Sequence, residues 1–94
     1  MIYNLEFREE ALDEWNKLNP SIKQQMKKKL IKVMENPRVP KNQLSGSSNR
    51  YKIKLCSIGY RLVYEVIDQE VVVLVIAVGR RDNNQVYKAA ESRQ

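Results

Sequence analysis

The run Val71-Val72-Val73-Leu74-Val75-Ile76-Ala77-Val78 constrains this chain more than any other feature. Eight successive apolar residues, most of them β-branched, favour a strand, because stiff branched side chains fit the pleat and crowd a helix. Strand side chains alternate between two faces, so an apolar residue at every position calls for cover on both faces, at least in part. A central strand in a layered domain meets that demand. A membrane span does not: a spanning helix needs roughly 20 apolar residues, and this run is the longest in the chain. Ninety-four residues leave room for one core, so residues 1–94 read as one domain.

The neighbouring segments read as more strands. RYKIKLC (50–56) alternates strictly, with Tyr51, Ile53 and Leu55 on one side and Arg50, Lys52, Lys54 and Cys56 on the other. YRLVYEVI (60–67) sets Tyr60, Leu62, Tyr64 and Val66 against Arg61, Val63, Glu65 and Ile67. Asp68-Gln69-Glu70 turns the chain before the apolar run, and Gly79 ends it. Near the N-terminus, IYNLEF (2–7) reads as a first strand. Ala11, Leu12, Trp15 and Leu18 then recur at helical spacing. Asn19 caps a second helix and Pro20 fits its first turn, where a missing N–H is no loss. Ile22, Met26, Leu30 and Val33 form its apolar stripe, and Asn36-Pro37 stops it. The 13 residues 37–49 are a loop, long enough to hint at a binding role. The tail from Asp82 is open between a short helix and a mobile segment. The order is β-α-α-β-β-β, an α+β fold: a small antiparallel sheet with an N-terminal helical hairpin packed on one face.

Register carries the first functional inference. If Tyr51, Ile53 and Leu55 face the core together with Leu62, Tyr64 and Val66, the connecting loop has an even number of residues. Either Ile58-Gly59 or Ser57 to Tyr60 serves. Both place Arg50, Lys52, Lys54 and Arg61 on one face. The other parity buries the lysines, at a cost of several kcal/mol or more. Arg80 or Arg81 adds a fifth cation, and parity does not choose between them, because the turn at 68–70 has an ambiguous length. No Asp or Glu lies between Arg50 and Arg61. Cations on a solvated strand are ordinary. Unmixed like charges across strands, however, weaken a sheet and point to an anionic partner.

Charge fits that reading. The chain holds 17 Lys+Arg against 11 Asp+Glu, a net charge of +6, and nearly all the excess lies beyond residue 36. A basic small domain suggests nucleic acid. The lysines of the second helix, Lys23, Lys27 and Lys28 among them, read mainly as its solvated face, with phosphate contact as the alternative. Tyr51 and Tyr64 fall on the core parity. Tyr87 either stacks on a base or packs as a satellite. There is no histidine and one cysteine, Cys56. That removes Cys/His zinc sites, His-dependent nucleophile pairs and a His general acid. No metal or cofactor is expected. The lone cysteine, and a start without a basic segment leading into an apolar one, make the cytoplasm the expected location.

The string YKIKL-x-S-x-GYRLVY-x-VID resembles the RelE family of toxin–antitoxin toxins. So do VVV-x-VI-x-VG-R-R with Val86-Tyr87, ALDEWNKL, and QQMKKKLIKVMENPR. The resemblance covers nearly the whole chain. It implies a microbial-ribonuclease-like fold and a ribosome-dependent endoribonuclease (mRNA interferase) that cuts mRNA in the A site of the 70S ribosome. It also implies a RelB-like antitoxin partner, and operator DNA bound only as the complex with that antitoxin. The family's functional positions match here as Lys52, Lys54, Arg61, Arg81 and Tyr87, which chooses Arg81 over Arg80. Arg50, Arg80, Lys23, Lys27 and Lys28 are then expected to contact mRNA or rRNA. Ser45 and Cys56 stand where family members can carry arginine. The expected chemistry is metal-independent attack by the RNA's own 2′-hydroxyl. Crowded cations make a lysine base feasible, Lys54 ahead of Lys52. Other readings are a ParE-like gyrase inhibitor on the same fold and a plain basic nucleic-acid-binding module.

Overall fold

The computed structural model describes residues 2–55, 59–80 and 85–93. Four strands and three α-helices follow in the order β1 (Asn4–Phe7), α1 (Glu9–Asn16), α2 (Pro20–Glu35), β2 (Arg50–Leu55), β3 (Tyr60–Ile67), β4 (Val72–Arg80) and α3 (Gln85–Ser92). A short 3-10 turn, Pro40–Asn42, interrupts the loop before β2.

The sheet order is β1-β4-β3-β2, so the apolar run forms an interior strand. β2, β3 and β4 pair antiparallel, as consecutive hairpin strands must. β1 pairs parallel to β4, from Asn4↔Val72 to Phe7↔Val75. The sheet is therefore mixed and not wholly antiparallel. Two helices separate β1 from the hairpins, so no tight turn obliges it to reverse direction. β1 ends before β4 does, and a side-chain pair covers the exposed edge. Glu14 Oε1 accepts from Val78 N–H at 3.1 Å, while Arg93 donates to the Ile76 carbonyl at 3.0 Å and to Glu14 at 2.8 Å.

Both N-terminal helices pack on one face of the sheet. The Asn19 side chain accepts from Ser21 N–H at 2.9 Å, and Pro20 opens α2. Ala11 and Trp15 of α1 join Met26, Leu30 and Val33 of α2 over Tyr51, Ile53, Leu55, Leu62, Tyr64, Val66, Val73, Val75 and Val78. Tyr51 and Tyr64 stack at 5.6 Å within this core. Each large side chain fully buried here contributes about 1.5–3 kcal/mol.

Within the tail, Gln85–Ser92 form α3, which lies on the other face. Val86 and Ala90 of α3 pack with Val63, Ile76 and Ala77. That is the second cover the apolar run demanded. The helix therefore shares its face of the sheet with the strand cations.

At the far end of the sheet Arg38 organises the long loop. It donates to Asp68 at 2.6 and 3.2 Å, to the Ser48 carbonyl at 3.1 Å, to Asn49 at 3.1 Å and to the Tyr51 hydroxyl at 3.2 Å. Tyr3 donates to the same carboxylate at 2.7 Å. No helix among the described residues is long and apolar enough to cross a membrane.

Candidate active site

Leu55 pairs with Tyr60, leaving four residues, 56–59, between β2 and β3. The parity is the expected even one, but the pairing is offset by two residues from the register of either expected loop, which would set Lys54 opposite Val63. Arg50 then stands opposite Glu65, Lys52 opposite Val63 and Lys54 opposite Arg61. All these side chains share the α3 face. Lys54 is exposed and Lys52 half-buried. Arg61 is only 6% exposed, and its Nη1 donates to the Tyr60 carbonyl at 2.9 Å. Among the described residues no carboxylate pairs with Lys52, Lys54 or Arg61. Like charges directly across strands cost about 0.2–1 kcal/mol. The Lys54–Arg61 pairing thus costs stability and marks these residues as the candidate site.

A β-bulge decides which C-terminal arginine joins this face. From Ile67↔Val72 to Tyr64↔Val75 the β3–β4 pairing runs in one register. Beyond Val63 it shifts by one residue, to Val63↔Ala77 and Tyr60↔Arg80. Ile76 is the extra residue, and both Ile76 and Ala77 pack under α3. The shift puts Gly79 beside Arg61 and Arg80 beside Tyr60. Arg80 therefore lies on the side opposite to Arg61, its guanidinium 5.7 Å from the centre of the Tyr60 ring. In the unshifted register Arg80 would have joined the cations. A Cβ on Gly79 would come within 3.9 Å of the Val86 side chain, which shows how closely α3 follows this part of β4. Arg81 and Cys56 lie outside the described residues.

Tyr87 is half-buried on α3 and packs against the Val63, Ile76, Ala77, Val86 and Ala90 cluster. With Ala90 and Glu91 it forms one wall of a cleft of about 740 Å³. Leu44, Ser45, Gly46 and Ser47 of the long loop form the other wall, and Arg50 and Glu65 also line it. The long loop thus helps shape the cleft, with Ser45 on its rim.

Arg50 sits differently from its expected role. Nε donates to Glu65 at 2.9 Å, Nη1 to the Ala90 carbonyl at 2.6 Å and Nη2 to the Arg93 carbonyl at 2.9 Å. All three guanidinium nitrogens are engaged inside the fold. The apparent lack of carboxylates on the cationic face held only for the segment 50–61. Glu65 shares the parity of Arg61, and that was the available signal for its pairing with Arg50. Lys23, Lys27 and Lys28 lie on α2, whose buried stripe packs on the other face of the sheet. They belong to a second basic surface, on the far side from Lys52, Lys54 and Arg61.

Among the described residues no group of three or more His, Cys, Asp or Glu side chains is placed to hold a metal. What the face offers is two lysines and a buried guanidinium on neighbouring strands, with a tyrosine-bearing helix over the same side. Such a set binds phosphate and stabilises added negative charge on it.

Residues 5–85 match the family model described as ParE toxin of type II toxin-antitoxin system, parDE. The chain is 54% identical over 93 residues to a protein of Escherichia coli (strain K12) named mRNA interferase toxin RelE, covering 99% of this chain and 98% of that one. The fold matches a free-state structure of a mutant E. coli toxin RelE with a TM-score of 0.91, at 53% identity, over 99% of this chain and 98% of that one. It also matches the toxin in the intact E. coli RelBE toxin–antitoxin complex with a TM-score of 0.81, at 56% identity, over 83% of this chain and 95% of that one.

Proposed function

The chain belongs to the RelE/ParE family of toxins from type II toxin–antitoxin systems, and from that premise we propose that it is an endoribonuclease that cuts mRNA in the ribosomal A site. The observation that carries the reading is the pairing of Lys54 with Arg61, beside Lys52, with no carboxylate among the described residues paired to any of the three. The name of the E. coli relative, mRNA interferase, supports the same substrate.

Beyond a proton from solvent water, the reaction needs no group from outside the chain and the RNA. The 2′-oxygen forms a bond to the adjacent phosphorus, and the bond from phosphorus to the 5′-oxygen breaks. The products are a 2′,3′-cyclic phosphate and a 5′-hydroxyl. Lys54 takes the proton of the 2′-hydroxyl, with Lys52 beside it. Arg61 and Arg81 hold the phosphate oxygens and stabilise the charge that builds there. Arg81 also screens the leaving 5′-oxygen, which takes a proton from solvent water to become the 5′-hydroxyl. Tyr87 orients a base by stacking. No strong acid–base pair stands in this set. The ribosome supplies alignment instead, which is worth several orders of magnitude in rate. Lys23, Lys27 and Lys28 offer a separate phosphate-binding surface for rRNA, and Arg80 offers a contact beside Tyr60. A RelB-like antitoxin restrains the toxin, and the pair binds operator DNA together.

Primer-extension mapping of mRNA in a translating extract tests the reading, with the Arg81→Ala variant beside the parent. Codon-phased cuts that need ribosomes, and that vanish in the variant while ribosome binding persists, are the expected result. The description of the matching family as ParE favours one second reading, a gyrase inhibitor on the same scaffold. Intact mRNA with gyrase-dependent DNA damage on expression would select it.

A further inference from the structure

Helix α3 has eight residues and no basic side chain in its last turn. A helix that short does not hold its shape alone. Its last carbonyls lack partners four residues on and carry the negative end of the helix dipole. The Ala90 carbonyl accepts from Arg93 N–H at 3.2 Å, and Arg50, which comes from β2, adds a charged donor at that end. Its two Nη groups donate to the carbonyls of Ala90 and Arg93, and its Nε donates to Glu65. Glu65 fixes the plane of the guanidinium, so that both Nη groups aim at the helix end. The Arg50 side chain is 14% exposed, which leaves little of it to meet RNA.

Tyr87 lies one turn before Ala90 on the same helix. Tyr87, Ala90, Arg50 and Glu65 all line the one cleft. The geometry points to a second role for Arg50: it is a positioning residue for cutting, which holds the C-terminal end of α3 so that Tyr87 stands at the cleft, and Glu65 aims it. This rests on the ribonuclease reading above. Arg93 and Glu14 anchor the end of α3 separately, so loss of Arg50 loosens the helix and does not free it.

The test is a double-mutant cycle in ribosome-dependent cleavage of a defined mRNA, read at a series of protein concentrations for the parent, Arg50→Met, Tyr87→Ala and the double variant. Arg50→Met is expected to lower the maximal cutting rate by about tenfold, short of the roughly hundredfold that a misplacement of ~1 Å can cost. The half-saturating concentration should stay within about twofold, because Lys52, Lys54 and Arg61 are untouched. In the Tyr87→Ala background Arg50→Met should cost nothing further, since it acts through Tyr87. Amide exchange along 86–92 should quicken in Arg50→Met while β2 to β4 stay protected. Losses that multiply in the double variant, or a raised half-saturating concentration, would mean that Arg50 touches RNA and would overturn the proposal. Should Arg50→Met fail to fold, Arg50→Lys carries the same test. One ammonium does not span three acceptors, so its rate should also fall, and a parental rate refutes the clamp. A parent that cuts nothing overturns the proposed function itself, whereas a cutting parent matched by Arg50→Met overturns the clamp alone.

Discussion

Replacing Arg61 by methionine should silence the toxin and stabilise it in the same step. Arg61 is 6% exposed, stands directly across from Lys54 and, among the described residues, makes one hydrogen bond, to the Tyr60 carbonyl. Removing the guanidinium relieves a cross-strand repulsion of about 0.2–1 kcal/mol. It also ends the desolvation of a buried charge that no carboxylate among the described residues offsets, a penalty on the order of 1 kcal/mol or more. Against this stands one hydrogen bond, worth about 1 kcal/mol, whose acceptor belongs to the half-buried Tyr60. The net expectation is a gain of about 1 kcal/mol, or roughly 4–8 °C in Tm for a domain of this size. Cutting should fall by about 10²–10³, the usual cost of one lost donor to a charge-building oxygen. Urea unfolding and primer extension on the same preparations read both quantities. A variant destabilised by more than about 1 kcal/mol, or one that still cuts at the parental rate, would refute the reasoning. The first result would make Arg61 a structural residue, and the second would remove it from the site.

Chelation of transition metals, at a magnesium level that keeps ribosomes intact, should leave cutting unchanged in the same extract; strict dependence on an added transition metal would contradict the proposed chemistry. Asp68→Asn should weaken the acid limb of stability. The Asp68 carboxyl is held below the ordinary carboxylate range, first by Arg38 and then by Tyr3. A depressed folded value stabilises above the unfolded value near ~4 and is lost as pH falls through the folded one. The gap in unfolding midpoint between parent and variant should therefore be level at neutral pH and close below about pH 4. Tyr64→Phe should cost about 1–3 kcal/mol in urea unfolding, because the fully buried hydroxyl donates to the Pro37 carbonyl at 2.7 Å. A parental midpoint there would mean that Pro37 finds another partner.

The shared face of the candidate site residues was legible because burying charge is costly. Alternation in RYKIKL and YRLVYEVI allowed one parity without buried lysines, and that parity alone put Lys52, Lys54 and Arg61 together. The step of the pairing was not legible. Loops of two or four residues satisfy the same parity, and only the folded hairpin sets Lys54 opposite Arg61. Arg80 was undecidable for a different cause. One inserted residue at Ile76 inverts every side chain beyond it, and nothing in an unbroken apolar run marks which residue will bulge. The pairing of Arg50 with Glu65 could be read from parity, but its reach to the end of α3 could not.

The sequence by itself determined the helix boundaries at Asn19-Pro20 and Asn36-Pro37, the interior place of Val72–Val78 and the shared face of the strand cations. These rest on local rules: the fixed φ of proline, the two-residue period of a strand, and the cost of burying charge. The tertiary structure decided the parallel pairing of β1, the bulge that turns Arg80 away, and the packing of α3 over the face that carries Lys52, Lys54 and Arg61. Each of these joins segments far apart in the chain, and its free energy comes from surfaces that exist only once both partners are folded. An eight-residue helix, an edge strand and a buried guanidinium each have too little stability of their own to announce where they will lie.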